Sequence, residues 1–442
     1  MKRLILLSAL VPLLLLSCGK ESGGGSEPSP EPESTVCERT GDGKEIYVPE
    51  ELRKNNGFRN TQNNFCYARS LETENLIIMW AKSFGSDPTK AGSMAFDPEK
   101  LAKKGEEFYS LYRDELHFIK DGSGADKYKM MVMVTYTTEG TVYGGSYDNV
   151  IGALWVEPGR IQDERLNAVA HELGHSFQFQ LMIDSESGFG SGGIYEMTSQ
   201  WMLWQANAHW FDDETYHWED FMKQTHYAFM HPENMYHTAN VLEYWSYLHG
   251  QGFIADLWRA AKGSNDVVGV YKTFTGIDQE KFNAENYDMA ARQICYDLPR
   301  IKEACAGYAN RHSSTLKAAD AEGWQSISDD RVPQQYGYNG IRLEAPAAGE
   351  SVSVEFRGDS GREEAGWRFG FVGTKKDGTI VYGQMNSVSG TGGTVSDSFT
   401  ADADYSHLWL VVTAAPSVHR FVSEENSSAY VSYPYSVKLT YW

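Results

Sequence analysis

Positive charge is in short supply in this chain: 39 Lys and Arg stand against 60 Asp and Glu, for a formal net charge of −21. That excludes a nucleic-acid partner, because phosphate backbones are held by basic surface. Cysteine is scarce as well, five in 442 residues, and no two are spaced C-x-x-C, which argues against a structural zinc cluster. Long apolar runs are missing. The one extended run, Leu4 to Leu16, is too short to span a bilayer comfortably.

That run follows Met1-Lys2-Arg3, so the first residues read as an export signal. Leu15-Leu16-Ser17-Cys18 resembles a lipobox, which implies cleavage before Cys18 and lipidation of that residue. Position 19 is Gly rather than Asp, so retention at the inner membrane is not indicated; an outer-membrane lipoprotein facing the periplasm or the cell surface is the expectation. Residues 19–35, with Gly-Gly-Gly-Ser and Glu-Pro-Ser-Pro-Glu-Pro, cannot build a core and read as a solvated tether. Four cysteines remain in an oxidising compartment: Cys37, Cys66, Cys295 and Cys305. Proximity favours the pairs Cys37–Cys66 and Cys295–Cys305, with buried free thiols as the alternative.

The chemistry is concentrated in His171-Glu172-Leu173-Gly174-His175. Leu166, Val169, Ala170, Leu173, Phe177 and Leu181 recur at helical spacing, and Asp163 is placed to cap the start. On a helix, His171 and His175 share one face and reach one metal ion. Two imidazoles leave zinc under-coordinated, and Glu172 is the neighbour suited to take a proton from an attacking water.

The third ligand is not the histidine of the short H-x-x-G-x-x-H arrangement, because positions 178 and 181 are Gln178 and Leu181. Asp184 and Glu186 follow closely, in a Gly- and Ser-rich loop. A second helical pattern, Ile194 to Trp204, carries one carboxylate, Glu196, among large apolar residues, where an isolated charge is costly unless paired or metal-bound. The H-E-x-x-H followed one helix later by a glutamate resembles the gluzincin metallopeptidases, which favours Glu196 over Asp184 and Glu186. Gln178 and Gln180 after the second histidine, the Gly-rich loop and Glu196 are together similar to the enhancin and mucin-degrading group. His-Glu-Leu-Gly-His-Ser-Phe-Gln, with Tyr-Glu-Met-Thr-Ser-Gln-Trp after it, is also similar to a set of uncharacterised bacterial lipoproteins. The likeness covers roughly residues 70 to 260. Many gluzincins place an aspartate four residues after the glutamate to orient a ligand histidine. This chain has Gln200, whose amide oxygen accepts a ring N–H but adds less basicity.

The remaining pattern is α+β. Short apolar runs at 75–80, 127–136 and 149–156 predict strands, and 98–119 predicts a helix. The order resembles a zincin-like catalytic domain, a small mixed sheet plus a helical subdomain, over residues 36–325. In zincins, the strand before the metal helix often forms the sheet edge along which a peptide lies, so Gly152 to Trp155 serve either as that edge or as an interior strand. From Asp212 to about Arg311 the chain is helical and rich in aromatics. The resemblance makes Tyr236, His237 and Tyr244 the candidates for stabilising an oxyanion. Trp201, Trp204, Trp210, Trp218, Trp245 and Trp258 read mostly as packing. Alternating segments within 333–442, such as 351–356, 367–372 and 407–412, separated by Gly- and Asp-rich turns, predict an antiparallel β-sandwich.

The expected function is a zinc-dependent endopeptidase acting on extracellular protein or glycoprotein, held to the membrane by lipid. The alternative is a catalytically weak zincin-fold lipoprotein that binds glycan or glycoprotein.

Overall fold

The computed structural model describes residues 37–38, 43–140, 142–190 and 192–442. The export signal, Cys18 and the tether lie outside the described residues.

Cys37–Glu38 (β1) pairs antiparallel with Ile46–Tyr47 (β2), and a single turn, Glu50–Arg53 (α1), follows. The main sheet is built from Ser70–Glu72 (β3), Leu76–Trp80 (β4), Met130–Val134 (β5), Val142–Tyr147 (β6) and Ile151–Val156 (β7). Its order is β3-β4-β5-β7-β6, with β4, β5 and β7 parallel and both edge strands antiparallel. Strands β4 and β5 are apolar at every position and buried along their whole length, the pattern of strands covered on both faces. The strand before the metal helix, β7, is therefore interior. The exposed edge is β6, whose Val-Tyr-Gly-Gly-Ser-Tyr composition gave little apolar signal.

Helix Pro98–Ser110 (α2) starts as Pro at the first helical position predicts, with Asp97 accepting from the N–H groups of Glu99 and Lys100. It widens into one π-turn, Leu111–Glu115, and ends there rather than at Ile119. A short turn, Gly124–Lys127 (α3), leads into β5. Asn167–Ser185 (α4) crosses the sheet, and Gly193–Ala206 (α5) returns beside it. Asp163 does not cap α4. It accepts from the N–H groups of Arg165 and Leu166 and holds a turn that ends in left-handed backbone at Leu166 (φ 55°), so the helix begins at Asn167. Six further helices follow: Trp210–Asp213 (α6), Thr215–Gln224 (α7), Ala239–His249 (α8), Phe253–Ala260 (α9), Val267–Thr275 (α10) and Gln279–Gln293 (α11). Trp201, Trp204, Trp210, Trp245 and Trp258 are buried in this core.

The C-terminal part is an antiparallel β-sandwich. Its strands are Gln325–Ser326 (β8), Tyr338–Leu343 (β9), Ser351–Gly358 (β10), Gly366–Lys375 (β11), Ile380–Tyr382 (β12), Asn386–Ser389 (β13), Val395–Thr400 (β14), Tyr405–Ala414 (β15) and Tyr435–Tyr441 (β16). One sheet runs β14-β10-β16-β8 and the other β12-β11-β15-β9, with β13 beside β11. The second sheet is docked on the helices. Tyr287 and Ala290 of α11, with Ile294 at its C-terminal cap, share an apolar cluster with Tyr338, Val372, Trp409 and Val411. Asn283 donates to the carbonyl of Pro416 across the same junction.

Cys295 and Cys305 are both buried and unbonded, so the pairing that proximity favoured does not form. The Cys295 thiol instead meets Asn310 and Thr374 in the junction. Cys66 is buried, and the side chain of Cys37 lies outside the described residues.

Candidate metal centre

Helix α4 is pinned to the sheet before it presents anything. Ser176 Oγ donates to the carbonyl of Ala153, and Gln180 accepts from the N–H of Gly152. On the far side, Tyr112 donates to the carbonyl of Ala170. Contact with β6 is closer still: a Cβ at Gly144 would lie 2.0 Å from the carbonyl oxygen of Glu172 and 2.7 Å from Cβ of His175. Only glycine lets the edge strand run that near the metal helix.

Against this backing, three ligand atoms converge. His171 Nε2 and His175 Nε2 are 3.1 Å apart, and Glu196 Oε2 lies 3.2 Å from the first and 3.3 Å from the second. A tetrahedral ion with bonds near 2.0–2.1 Å separates its ligands by about 3.3 Å, so the triangle has the dimensions of three zinc ligands with a fourth direction open. The two nitrogens and the carboxylate are also the donor set zinc accepts, and among the described residues no other group of His, Cys, Asp or Glu converges in this way. Asp184 and Glu186 are placed elsewhere. Asp184 accepts from Ser123, Gly124 and Gln180, and Glu186 ends α4 in left-handed backbone.

Each imidazole is aimed by a glutamine. Gln200 Oε1 is 2.9 Å from His171 Nδ1, and Gln178 Oε1 is 3.2 Å from His175 Nδ1. Both amides are held in turn, Gln178 by donation to Ser199 Oγ and the carbonyl of Tyr195, Gln200 by the carbonyl of Tyr236 and the ring of His217. The sequence reading gave an orienting role to Gln200 and counted Gln178 only in the family resemblance; the equivalent role of Gln178 comes from the structure. Burial disfavours a charge on His171. The hydrogen bond to Glu196 and the charges of Glu172 and Glu196 outweigh it and push the imidazole up to about 9. Burial would raise the Glu196 carboxyl, but the two histidines hold it far below the usual range. Glu172 is 7 % exposed beside the triad.

The three oxyanion candidates separate. Tyr236 faces the centre: burial, then the charge of Glu196 and a hydrogen bond to it, raise its phenol well above 10. His237 turns away, its Nδ1 2.9 Å from His217 Nδ1, and burial lowers it to about 4. Tyr244 is buried in α8 with its hydroxyl on Asp288, 2.8 Å away, and does not reach the site.

A cavity of about 440 Å³ opens beside Glu196 and Tyr236. Its far wall comes from the segment before β16, including Phe421, Glu424 and Tyr430. Glu424 Oε1 accepts the N–H of Gly193, the first residue of α5, where the helix end favours an anion. Burial raises the Glu424 carboxyl, and the nearby charge of Glu196 adds to the effect. Nothing in the sequence tied a position more than two hundred residues downstream to the metal helix.

Several solved structures show a remote likeness. The ZmpB metallopeptidase from Clostridium perfringens is 14% identical, with 77% of this chain and 68% of that one covered and a TM-score of 0.32. The M60 catalytic domain of Clostridium perfringens ZmpC, solved in complex with the sialyl T antigen, is 12% identical, with 81% and 68% covered and a TM-score of 0.33. The family 22 carbohydrate binding module of Clostridium thermocellum Xyn10B covers 29% of this chain and 79% of its own, at 11% identity and a TM-score of 0.19. Likeness at this level transfers no chemistry. No curated protein matches the chain. The family described as "Family of unknown function (DUF6055)" matches residues 38–441, and the chain belongs to that family.

Proposed function

We propose that this chain is a zinc-dependent endopeptidase of gluzincin type that cleaves extracellular proteins, glycoproteins among them, and is anchored to the outer membrane by lipid on Cys18. The observation that carries the reading is the triangle of His171, His175 and Glu196 at the edge lengths of a zinc tetrahedron, with Glu172 buried beside it. A site that only bound metal would have no use for that carboxylate.

When bound, zinc supplies a Lewis acid that polarises a carbonyl and makes water more acidic. The chain's own groups do the rest. Glu172 takes the proton of the attacking water and returns it to the leaving amine. Tyr236 faces the centre with a neutral phenol and donates to the oxygen that gains charge. Gln200 and Gln178 hold both imidazoles with Nε2 turned inward. Among the described residues strand β6 pairs with β7 alone, so its outer edge supplies main-chain groups to an extended substrate segment, a role the sequence reading had considered for β7.

The test is to incubate the zinc-loaded protein with a mixed extracellular proteome and map new termini, with and without chelator. Chelator-sensitive termini are the expected result. Their absence, together with retention of glycoprotein on the protein, supports the binding-protein reading instead.

A further inference from the structure

The cavity beside Glu196 has walls of two kinds. Met235, Tyr236, Val267, Phe421 and Tyr430 make it apolar and aromatic. The charged groups facing it are acidic: Asp266, Glu424 and Glu425, besides Glu196 itself. Among the described residues no lysine or arginine lines it. The one basic side chain there, His419, is engaged at both ring nitrogens, with Nε2 on Asp266 at 2.8 Å and Nδ1 on the Tyr336 hydroxyl at 2.9 Å. Glu424 spends Oε1 on the N–H of Gly193, and its Oε2 takes no hydrogen bond among the described residues. Phe421, 49 % exposed, stands at the mouth.

We infer that this cavity is a specificity pocket for a substrate side chain with an apolar stem and a cationic head, lysine or arginine, and that the C-terminal sandwich supplies its selecting groups, Glu424 and Phe421. The argument is one of complementarity. Long cationic side chains lay their methylenes on apolar surface and carry the charge to a polar end. Here the apolar wall leads to Glu424 and Glu425, which have no cationic partner among the described residues, and a guanidinium or ammonium there gains charge-assisted hydrogen bonds. An anionic group, a sialic acid or an acidic residue, meets only like charge and is rejected. The volume, about 440 Å³, holds one such side chain with room for water. This pocket rests on the peptidase reading only for its place beside the scissile bond; its charge preference stands on the cavity alone.

The experiment uses the full, zinc-loaded chain carrying Glu172→Gln, so that bound peptides are not consumed. Three acetylated, amidated pentapeptides that differ only at the centre, with arginine, norleucine or glutamate, are titrated calorimetrically. The arginine peptide is expected to bind about tenfold or more tighter than norleucine, and the glutamate peptide weakest. Adding Glu424→Gln, whose amide oxygen still accepts from Gly193, should collapse the arginine-to-norleucine ratio towards one. Phe421→Lys, at an exposed position independent of that cap, should lower the same ratio. An arginine peptide that binds no tighter than norleucine, a ratio unmoved by both substitutions, or no binding of any peptide overturns the proposal. Cleavage by the wild-type chain is scored separately. Arginine preference without hydrolysis upholds the pocket and removes the peptidase reading, whereas hydrolysis without that preference does the reverse.

Discussion

Gln200 Oε1 lies 2.9 Å from His171 Nδ1, so an uncharged amide does the orienting that a carboxylate does in many zinc sites. Its own NH₂ is held between the His217 ring and the carbonyl of Tyr236, which prevents the amide from flipping. Orientation is thereby kept while some ligand basicity is given up. Gln200→Leu removes both, and zinc affinity should fall about ten- to a hundredfold. Competition against a chelator of known affinity reads this directly; an unchanged constant would mean that packing alone aims His171.

Glu172 is adjacent in sequence to a ligand but points away around the helix. Its replacement should therefore separate chemistry from binding. Glu172→Gln is expected to keep zinc stoichiometry and thermal stability while slowing peptide hydrolysis about a hundredfold or more. Hydrolysis at the wild-type rate would show that another group moves the proton.

The approach of β6 to α4 depends on one hydrogen atom. Gly144→Ala puts a methyl 2.0 Å from the carbonyl oxygen of Glu172, backbone against backbone, so the strand or the helix must shift. A loss of about 1–3 kcal/mol in urea unfolding is expected, with weaker zinc binding because His175 sits at the same contact. Unaltered metal affinity in a destabilised variant would show that the strand yields and the helix does not.

Acid should destabilise the metal-free protein through buried neutral histidines. His312 is 6 % exposed, its Nε2 bonded to the Tyr338 hydroxyl, and burial lowers it from 6.5 to about 3. Because the folded value lies below the unfolded one, its contribution is complete above pH 6.5 and is lost as pH falls towards 3. His226 and His237, each lowered to about 4, act in the same direction. His171 acts oppositely: its folded value is raised to about 9, so its contribution is present below pH 6.5 and lost as pH rises through 9. The metal-free chain should be most stable near pH 6.5, and His312→Gln should reduce the acid slope by about 1.4 kcal/mol per pH unit. Denaturant midpoints across pH 4 to 9 measure this; a slope unchanged by that substitution assigns the acid sensitivity elsewhere.

The proposed membrane attachment rests on Cys18. Cys18→Ser should move the protein from the membrane fraction to the soluble one and abolish labelling by palmitate. Wild-type protein that takes up no label would end the lipoprotein proposal.

The chain's local patterns were enough to locate the helix that carries His171 and His175, the strands at 76–80 and 130–134, and Glu196 on the next helix. Such features are written at short range: two histidines four apart, continuous apolar runs, one carboxylate among tryptophans and methionines. The same patterns predicted the α+β architecture and an antiparallel sandwich over residues 333–442, because alternation and turn residues are also local. They were silent on β6, whose Gly-Gly pair reads as loop until α4 is seen lying within contact of it. Register and edge position belong to pairing between distant strands, and no single strand encodes its neighbours. Tyr236, in the turn before α8, was separated from Tyr244, on that helix, only by tertiary packing, which sends one hydroxyl towards Glu196 and the other towards Asp288. Glu424 reaches Gly193 across 231 positions of chain because the sandwich is docked on α11. The metal triad is thus a property of two adjacent helices, whereas the pocket beside it exists only where two separately built cores meet.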